Sequence, residues 1–387
     1  MRKSVFVFAL CAFFVSLLPL FTPTTEKAGQ VDAPVLENIE YSLNISVSAQ
    51  CAILTAADGT LLFSKNAHER AEPASTTKIM TALVVLETLR SDEVITVTQE
   101  TTGAEGSSLY LKAGEQLTVR ELLLGMMLES GNDAAETLAK AAGGSVEGFV
   151  AMMNEKAAQM GLEDTHFENP HGLSSENHYT TAADLVKIAC TAMSSEAFRE
   201  YVSTYKACIT GYGSDSGRLL INHNKLLRMY DGAAGVKTGY TKSSGRTLVG
   251  AAQRDGLMLI SVTLNAPDDW NDHITMFDAA FCAFESVTVA EQYEKSLYVP
   301  VTGGEKSAVR LTNTQALTLV LPRGTEYTLA YNAPDAVCAP VKKDERLGEI
   351  TVYAGDKAVG TIPLAASENI DCKRLSFWER IFGAWKP

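Results

Sequence analysis

Residues 73–89 read Pro73-Ala-Ser-Thr-Thr-Lys-Ile-Met-Thr-Ala-Leu-Val-Val-Leu-Glu-Thr-Leu89. After Lys78 this stretch is mostly apolar, and its length and composition predict a largely buried helix. Ser75 and Lys78 stand three residues apart at its start, so their side chains would share one face of that helix. A neutral Lys78 amine could therefore take the proton of the Ser75 hydroxyl, which would make Ser75 a nucleophile without any histidine.

The Ser-x-x-Lys spacing alone is weak evidence, because a helix cap or a solvated surface pair also produces it. Ser203-Thr-Tyr-Lys206 has the same spacing. Ser75 differs in its context, since Ser130-Gly-Asn132 and the only Lys-Thr-Gly of the chain, Lys237-Thr-Gly239, follow it in that order. An ordered set of this kind is a signature of penicillin-binding proteins and β-lactamases.

Over most of its length the chain resembles the low-molecular-weight penicillin-binding proteins that act as serine-type D-alanyl-D-alanine carboxypeptidases. The stretches that carry the resemblance are Pro73-Ala-Ser-Thr-Thr-Lys-Ile-Met-Thr, Gly106-Ser-Ser-Leu, Ser130-Gly-Asn-Asp-Ala-Ala, Asn169-Pro-His-Gly-Leu and Gly235-Val-Lys-Thr-Gly-Tyr-Thr. The Ser-Gly-Asn form of the second motif is similar to the carboxypeptidases and departs from the Ser-Asp-Asn of class A β-lactamases. The deacylating-glutamate loop of β-lactamases has no convincing match, although Glu163 and Glu168 lie near that region.

The resemblance implies an α/β (α+β) catalytic domain of the β-lactamase/transpeptidase type, followed by a second, all-β domain. The residue pattern agrees with this, because Asp58-Gly59 is typical of a hairpin turn and short β-rich segments punctuated by Pro and Gly follow residue 286. We expect four segments, namely a signal peptide at 1–27, the catalytic domain at 28–285, the β domain at 286–372 and a terminal helix at 373–387.

Resemblance and chemistry together give a role to each catalytic residue. Ser75 would attack the carbonyl between the two terminal D-alanines of the substrate, with Lys78 as the base. Burial and the positive charge of Lys237 would keep the Lys78 amine neutral near pH 7. Ser130 would relay the proton to the leaving amine, and Asn132 would bind the substrate amide.

The Lys-Thr-Gly segment would hold the substrate. Lys237 and Thr238 would bind its terminal carboxylate through charge-assisted contacts. The strand that continues through Gly239 to Tyr240 would pair with the extended peptide. The backbone N–H groups of Tyr240 and Ser75 would then form the oxyanion hole.

Two further residues have open roles. His171, in the Asn169–Leu173 loop, would either touch the substrate or bond to its own backbone, and the backbone bond is the more common case for a loop histidine. Arg246 would either add to carboxylate binding or form a surface ion pair.

The first residues predict export. Residues 1–27 open with Arg2 and Lys3 and continue almost wholly apolar to Phe21, which is the layout of a secretory signal peptide. An uncleaved membrane anchor is the alternative, because the apolar run approaches a spanning length. Either interpretation puts the rest of the chain outside the cytoplasm, at the outer face of the cytoplasmic membrane.

The last residues predict an amphipathic helix over 373–387. Its apolar face would be formed by Leu375, Trp378, Phe382 and Trp385. Such a helix is too short to cross a bilayer but suits the membrane surface. We favour binding to the membrane surface over docking on the protein itself.

Composition limits the remaining classes of function. The 387 residues suggest two or three domains, and 46% apolar with 20% charged residues is ordinary for a globular protein. The net charge of −13 would repel nucleic acid. The seven cysteines include Cys11 in the predicted signal, and the other six are expected either to pair as disulfides or to be mostly buried free thiols. No metal-ligand spacing occurs, so we expect no metal and no cofactor.

The sequence thus predicts an exported D-alanyl-D-alanine carboxypeptidase that trims peptidoglycan stem peptides through an acyl-enzyme. Its expected partners are peptides ending in D-Ala-D-Ala, β-lactam antibiotics and the membrane surface. A β-lactamase and a non-catalytic wall-binding scaffold are the alternatives.

Overall fold

The computed structural model describes residues 41–211 and 217–374. The predicted signal segment and, from residue 375 onward, the predicted terminal helix lie outside these residues. No helix in the described ranges is long and apolar enough to span a membrane.

The elements of the described chain fall into an α/β part and an all-β part. The helices are α1 (Lys78–Thr88), α2 (Val119–Leu128), α3 (Asn132–Gly143), α4 (Val146–Gln159), α5 (Ala182–Ser194), α6 (Glu196–Ser203), α7 (Leu226–Met229) and α8 (Asp269–Ala283). The strands of the first part are β1 (Cys51–Ala56), β2 (Leu61–Lys65), β3 (Val94–Thr96), β4 (Gln116–Thr118), β5 (Lys206–Ile209), β6 (Arg218–Ile221), β7 (Ala233–Thr241), β8 (Gly245–Arg254) and β9 (Leu257–Leu264). The strands of the second part are β10 (Phe284–Ala290), β11 (Ser296–Thr302), β12 (Ala308–Asn313), β13 (Leu317–Pro322), β14 (Tyr327–Asn332), β15 (Val337–Cys338), β16 (Arg346–Ala354) and β17 (Lys357–Ala366).

A five-stranded antiparallel sheet lies at the centre of the first domain, in the order β2-β1-β9-β8-β7. Successive residues of a strand face opposite sides of a sheet. Ile53 and Val249 accordingly belong to the core shared with the N-terminal helices, whereas Leu54 and Leu248 pack with Phe277 of α8. The sheet is therefore buried on both faces, and β7 lies at one edge of it, next to the turn that carries Ser75.

The second domain is all-β and has a core of its own. Six of its strands form one sheet in the order β14-β16-β17-β12-β11-β15, and β10 pairs with β13. Val309, Ile350 and Leu364 are buried in its interior. The predicted fold class is confirmed in both domains.

The predicted helix after Pro73 begins later than expected. Ser75 lies in a 3-10 turn, Ala74–Thr77, and α1 starts at Lys78. Ala74 has a φ of 48°, a left-handed conformation that an α-helix does not admit. A 3-10 turn has three residues per turn, so Ser75 and Lys78 still face the same side.

The described residues between 196 and 229 form elements that the sequence did not reveal, namely α6, the antiparallel pair β5–β6 and α7. The second Ser-x-x-Lys pair lies here. Ser203 is the exposed last residue of α6, and its hydroxyl donates to the carbonyl of Glu200. Lys206 is exposed at the start of β5.

The cysteines of the described residues are free thiols, in agreement with one of the two alternatives. The expectation that most would be buried is wrong, because only Cys51 is buried and Cys190 is half-buried. The other four lie on outward-facing positions, and they are Cys208, Cys282, Cys338 and Cys372.

Candidate active site

The Ser75–Lys78 pair meets the geometric requirement for nucleophile activation. Lys78 Nζ lies 3.1 Å from Ser75 Oγ, within the reach of a proton transfer. Lys78 is fully buried, whereas Ser75 is partly open to solvent. The Ser75 hydroxyl is therefore accessible from outside, while the Lys78 amine is shielded from water.

Lys78 is held by two further oxygen atoms. Its Nζ donates to Asn132 Oδ1 at 2.7 Å and to the carbonyl of His171 at 2.8 Å. Burial lowers the pKa of Lys78 well below its usual range, and the charge of Lys237 lowers it further, while Asp133 acts in the opposite direction. The site thus favours a neutral amine, which is the form that a general base requires.

Ser130 is a buried hydroxyl without a protein partner. It is 5% exposed, and its Oγ makes no hydrogen bond with any described residue. Its φ of 62° is left-handed, which is unusual for a residue other than glycine and is common at functional sites. Native structures leave few buried hydroxyls unsatisfied, so Ser130 Oγ is available to a group that enters the site.

Asn132 and Asp133, at the start of α3, fix the wall of the site. Asn132 Nδ2 donates to the carbonyl of Glu105 at 2.5 Å, opposite its contact with Lys78. The Asp133 carboxylate accepts from the backbone N–H groups of Leu109 and Leu111, both at 3.0 Å. The Asp133 carboxylate thus holds the Gly106-Ser-Ser-Leu segment beside the site. Sequence reasoning missed this role of Asp133.

Strand β7 lies directly against the Ser75 turn. A Cβ atom on Gly239 would come within 2.3 Å of Thr247 Oγ1 and 2.9 Å of the Ser75 backbone nitrogen. Only glycine fits this approach. Thr247 Oγ1 in turn donates to the carbonyl of Pro73 at 3.0 Å, which ties β8 to the same turn.

The other residues of the Lys-Thr-Gly segment differ in exposure. Lys237 is buried, and burial lowers its pKa to about 7. Its Nζ donates to the carbonyl of Thr238 at 3.0 Å. Tyr240 is 67% exposed at the sheet edge.

The loop that contains Asn169-Pro-His-Gly closes the site from the opposite side. Gly172 has a φ of 90°, and a Cβ atom there would lie 1.8 Å from the carbonyl oxygen of Ala74. The His171 ring accepts from the backbone N–H of Leu173 at 3.3 Å and faces Glu136 at 3.4 Å. The histidine ring thus bonds to the backbone of its own loop, at Leu173. The His171 carbonyl, which sequence reasoning missed, contacts Lys78.

His178 is a second buried histidine that the sequence did not single out. Its Nδ1 accepts from the backbone N–H of Glu168 at 3.1 Å, so the ring proton lies on Nε2, 2.9 Å from Thr77 Oγ1. Burial lowers the pKa of His178 to about 4. A neutral His178 therefore braces the turn between Ser75 and Lys78.

Arg246 forms the ion pair that was one of its two expected roles. Its Nη1 lies 3.3 Å from Asp269 Oδ1, and the residue faces Tyr240 across the β7–β8 pair.

Among the described residues, no group of three or more His, Cys, Asp or Glu side chains could hold a metal ion.

Family models match nearly the whole described chain. One described as D-alanyl-D-alanine carboxypeptidase covers residues 38–268, and one described as Penicillin-binding protein 5, C-terminal domain, covers residues 284–371.

Curated relatives carry the same description. D-alanyl-D-alanine carboxypeptidase DacF of Bacillus subtilis is 33% identical over 353 residues, which are 87% of this chain and 90% of the relative. D-alanyl-D-alanine carboxypeptidase DacC of Escherichia coli is 32% identical over 379 residues, 92% of this chain and 90% of the relative. Among solved structures, penicillin binding protein 5 from Haemophilus influenzae matches with a TM-score of 0.73 and 26% identity, over 84% of this chain and 98% of that one.

Proposed function

The chain belongs to the D-alanyl-D-alanine carboxypeptidase family, and from this membership we propose an exported enzyme that removes the terminal D-alanine of peptidoglycan stem peptides. Membership makes it a serine-type hydrolase with D-Ala-D-Ala carboxypeptidase activity. The proposal adds an acyl-enzyme on Ser75, which penicillins also form. The observation that carries it is the 3.1 Å contact between Ser75 Oγ and the buried amine of Lys78.

Acylation begins with the neutral Lys78 amine. It takes the Ser75 proton as Oγ attacks the carbonyl between the two D-alanines. The developing oxyanion is bound by the backbone N–H groups of Ser75 and Tyr240, an assignment supported by the packing of Gly239 against the Ser75 nitrogen. The tetrahedral intermediate then collapses, the peptide C–N bond breaks, and free D-alanine leaves.

The leaving amine needs a proton, and Ser130 supplies it. Its hydroxyl is buried and unpartnered, so it can donate to the leaving nitrogen while it accepts the proton held by Lys78. Water then attacks the ester, with Lys78 as the base again, and the trimmed peptide is released. Lys78 returns to its neutral form after each half of the reaction.

Strand β7 provides the substrate platform. An edge strand has unpaired backbone groups that can accept an extended peptide as an added strand. Lys237 and Thr238 bind the terminal carboxylate, which restricts the reaction to a free C-terminus. Asn132 binds the amide of the acyl part, since its side chain already lies against Lys78.

The location of the enzyme follows from the two chain ends. We propose that residues 1–27 direct export, that residues 28–285 and 286–372 form the two domains, and that residues 373–387 attach the protein to the outer face of the cytoplasmic membrane. The support for export and for membrane attachment is the sequence pattern of these ends alone.

The test is release of D-alanine from a peptide that ends in D-Ala-D-Ala, with penicillin adducts located by mass. Wild-type protein should release D-alanine and carry the penicilloyl group on Ser75, and Ser75→Ala should do neither. Ser203→Ala is the matched control, since it removes the serine of the other Ser-x-x-Lys pair, and it should behave as wild type. Release by Ser75→Ala at the wild-type rate would overturn the proposal.

The lifetime of the adduct separates the carboxypeptidase from a β-lactamase. We expect a penicilloyl adduct that persists for minutes or longer. The structure offers no sign of a deacylating glutamate at Glu168, whose carboxylate accepts from Ser175 and Asn177 in its own loop. Rapid turnover of penicillin would contradict the assignment.

A further inference from the structure

Glu136 is an acidic residue beside the site that the proposed reaction does not use. It lies on α3 one turn after Asn132, and residues four apart on a helix share one face. Its side chain is 22% exposed, and the residues on either side of it are buried. A carboxylate that is mostly withdrawn from water needs a partner, and the structure provides one.

The partner of Glu136 is the ring of His171. Glu136 Oε1 lies 3.4 Å from His171 Nε2. The other ring nitrogen, Nδ1, accepts from the backbone N–H of Leu173, so the proton of the neutral ring lies on Nε2 and is donated to Glu136. Burial lowers the pKa of His171, the bond to Glu136 acts in the opposite direction, and the charge of Lys78 lowers the pKa again. The ring is therefore neutral near pH 7, with one nitrogen accepting and the other donating.

This contact completes a closed set of contacts around Lys78. The lysine Nζ donates to Asn132 Oδ1, on α3, and to the carbonyl of His171, in the loop that closes the site. Glu136 joins the same helix to the same loop. Among the described residues, no other hydrogen bond or ion pair joins this loop directly to α3. Without Glu136, the lysine would be the only polar link between the two segments that aim it at Ser75.

The other polar contacts of the loop leave its position relative to α3 open. The side chain of Asn169 bonds to backbone groups within the loop itself. The carbonyl of Pro170 accepts from Thr81 Oγ1 of α1 at 2.6 Å. The loop is thus tied to α1 at Pro170 and to α3 at His171, and the second tie depends on Glu136.

We propose that Glu136 is a positioning residue of the reaction, which holds the His171 ring and thereby keeps the His171 carbonyl against the Lys78 amine. This inference rests on the proposed function, because that function makes Lys78 the base. Glu136 acts through His171 and takes no part in binding the substrate. Its removal should therefore lower kcat and leave KM almost unchanged.

The test measures kcat and KM for D-alanine release from Nα,Nε-diacetyl-L-lysyl-D-Ala-D-Ala. Glu136→Ala removes an acceptor from a buried N–H group, so kcat should fall about tenfold while KM stays within about twofold of wild type. Glu136→Gln keeps a side-chain oxygen that can accept from His171 Nε2, and should restore most of kcat. Glu136→Leu keeps the size of the side chain without the acceptor, and should resemble Glu136→Ala.

A matched control and an active-site count exclude general effects. Glu155 is an exposed residue of α4 whose carboxylate accepts only from Gln159 of the same helix among the described residues, so Glu155→Ala should keep the wild-type kcat. Each kcat is referred to the amount of protein that penicillin labels at completion. A partly unfolded preparation then does not lower the measured value.

A double variant shows through which residue Glu136 acts. His171→Ala removes the ring and keeps the backbone carbonyl, so kcat should fall about as much as in Glu136→Ala. In the His171→Ala background, Glu136→Ala should change kcat by less than about twofold, because both single variants lose the same contact. A role of Glu136 that is independent of His171 would instead multiply the two losses.

Each contrary result has a separate meaning. If folded wild-type protein releases no D-alanine, the proposed function fails and this inference fails with it. If the wild type is active and Glu136→Ala or Glu136→Leu keeps its kcat, only the inference is overturned. Losses that multiply in the double variant, no recovery in Glu136→Gln, or a rise in KM at unchanged kcat would also overturn the inference alone.

Discussion

The chain contains two Ser-x-x-Lys pairs, and they lie in opposite surroundings. Ser75 and Lys78 lie between strand β7, the loop that contains Gly172 and the start of α3. The lysine is fully buried. Ser203 and Lys206 lie at the surface, across the end of α6 and the start of β5. Equal spacing thus gives the geometry of an activated hydroxyl only where burial lowers the pKa of the amine and other segments hold it against the hydroxyl.

Removing the two lysines in turn should produce the largest difference. Lys78→Ala removes the proposed base, so acylation by penicillin should fall about a thousandfold. Lys206→Ala should stay within about twofold of wild type, since exposed positions rarely affect function at a distance. The measurement is the rate of penicilloyl formation, followed by mass. Comparable losses of this rate in Lys78→Ala and Lys206→Ala would contradict the difference between the two Ser-x-x-Lys pairs.

The second test concerns the close packing of Gly239 against the Ser75 turn, which distinguishes the Ser75–Lys78 pair from the Ser203–Lys206 pair. Gly239→Ala would push a methyl group against Thr247 Oγ1 and the Ser75 nitrogen. A displacement of about 1 Å at the nucleophile costs about a hundredfold in rate, so kcat/KM should fall by that factor. Thermal unfolding should still show a folded protein, and normal acylation in this variant would contradict the role of the contact.

The third test uses pH. Lys78 acts as a base only when neutral, so the acylation rate should rise with pH through its lowered pKa. The Lys237 charge lowers the pKa of Lys78, so Lys237→Gln should move the midpoint of the profile upward. A rate profile of penicillin acylation measures both, and a wild-type rate that does not rise with pH at all would exclude Lys78 as the base.

The smallest effect is expected at His178. His178→Ala removes the brace on Thr77, and the loss of one buried hydrogen bond should reduce kcat about fivefold with little change in KM. His178→Gln offers an amide N–H in the same region and should restore part of kcat. A rise in KM without a fall in kcat would indicate a different role.

Much of the fold was predictable because its signals are local. The hairpin at Asp58-Gly59 and the helix after Lys78 follow from turn chemistry and apolar composition, and both are present. The segment from α6 to α7 was missed because its elements are short and mixed in composition. The 3-10 turn at Ser75 was missed because Gly172 and Gly239, distant in sequence, determine its shape.

The site was predictable as a set of motifs and not as a set of contacts. The resemblance named Ser75, Lys78, Ser130, Asn132 and the Lys-Thr-Gly strand, and the structure brings Lys78 into contact with Ser75 and Asn132. The carbonyl of His171 could not be foreseen, since any residue supplies one. The clamp formed by Asp133 and the brace formed by His178 also depend on which backbone groups tertiary packing brings near.

The packing of Gly172 and Gly239 around the Ser75 turn also bears on folding. These contacts join residues separated by about a hundred positions or more, and contacts of such long sequence separation form late because they require closure of long loops. A partly folded chain therefore has no assembled nucleophile. Recovery of penicillin labelling after dilution from denaturant should consequently lag behind the recovery of helical structure. Penicillin labelling would then report that the whole catalytic domain has folded.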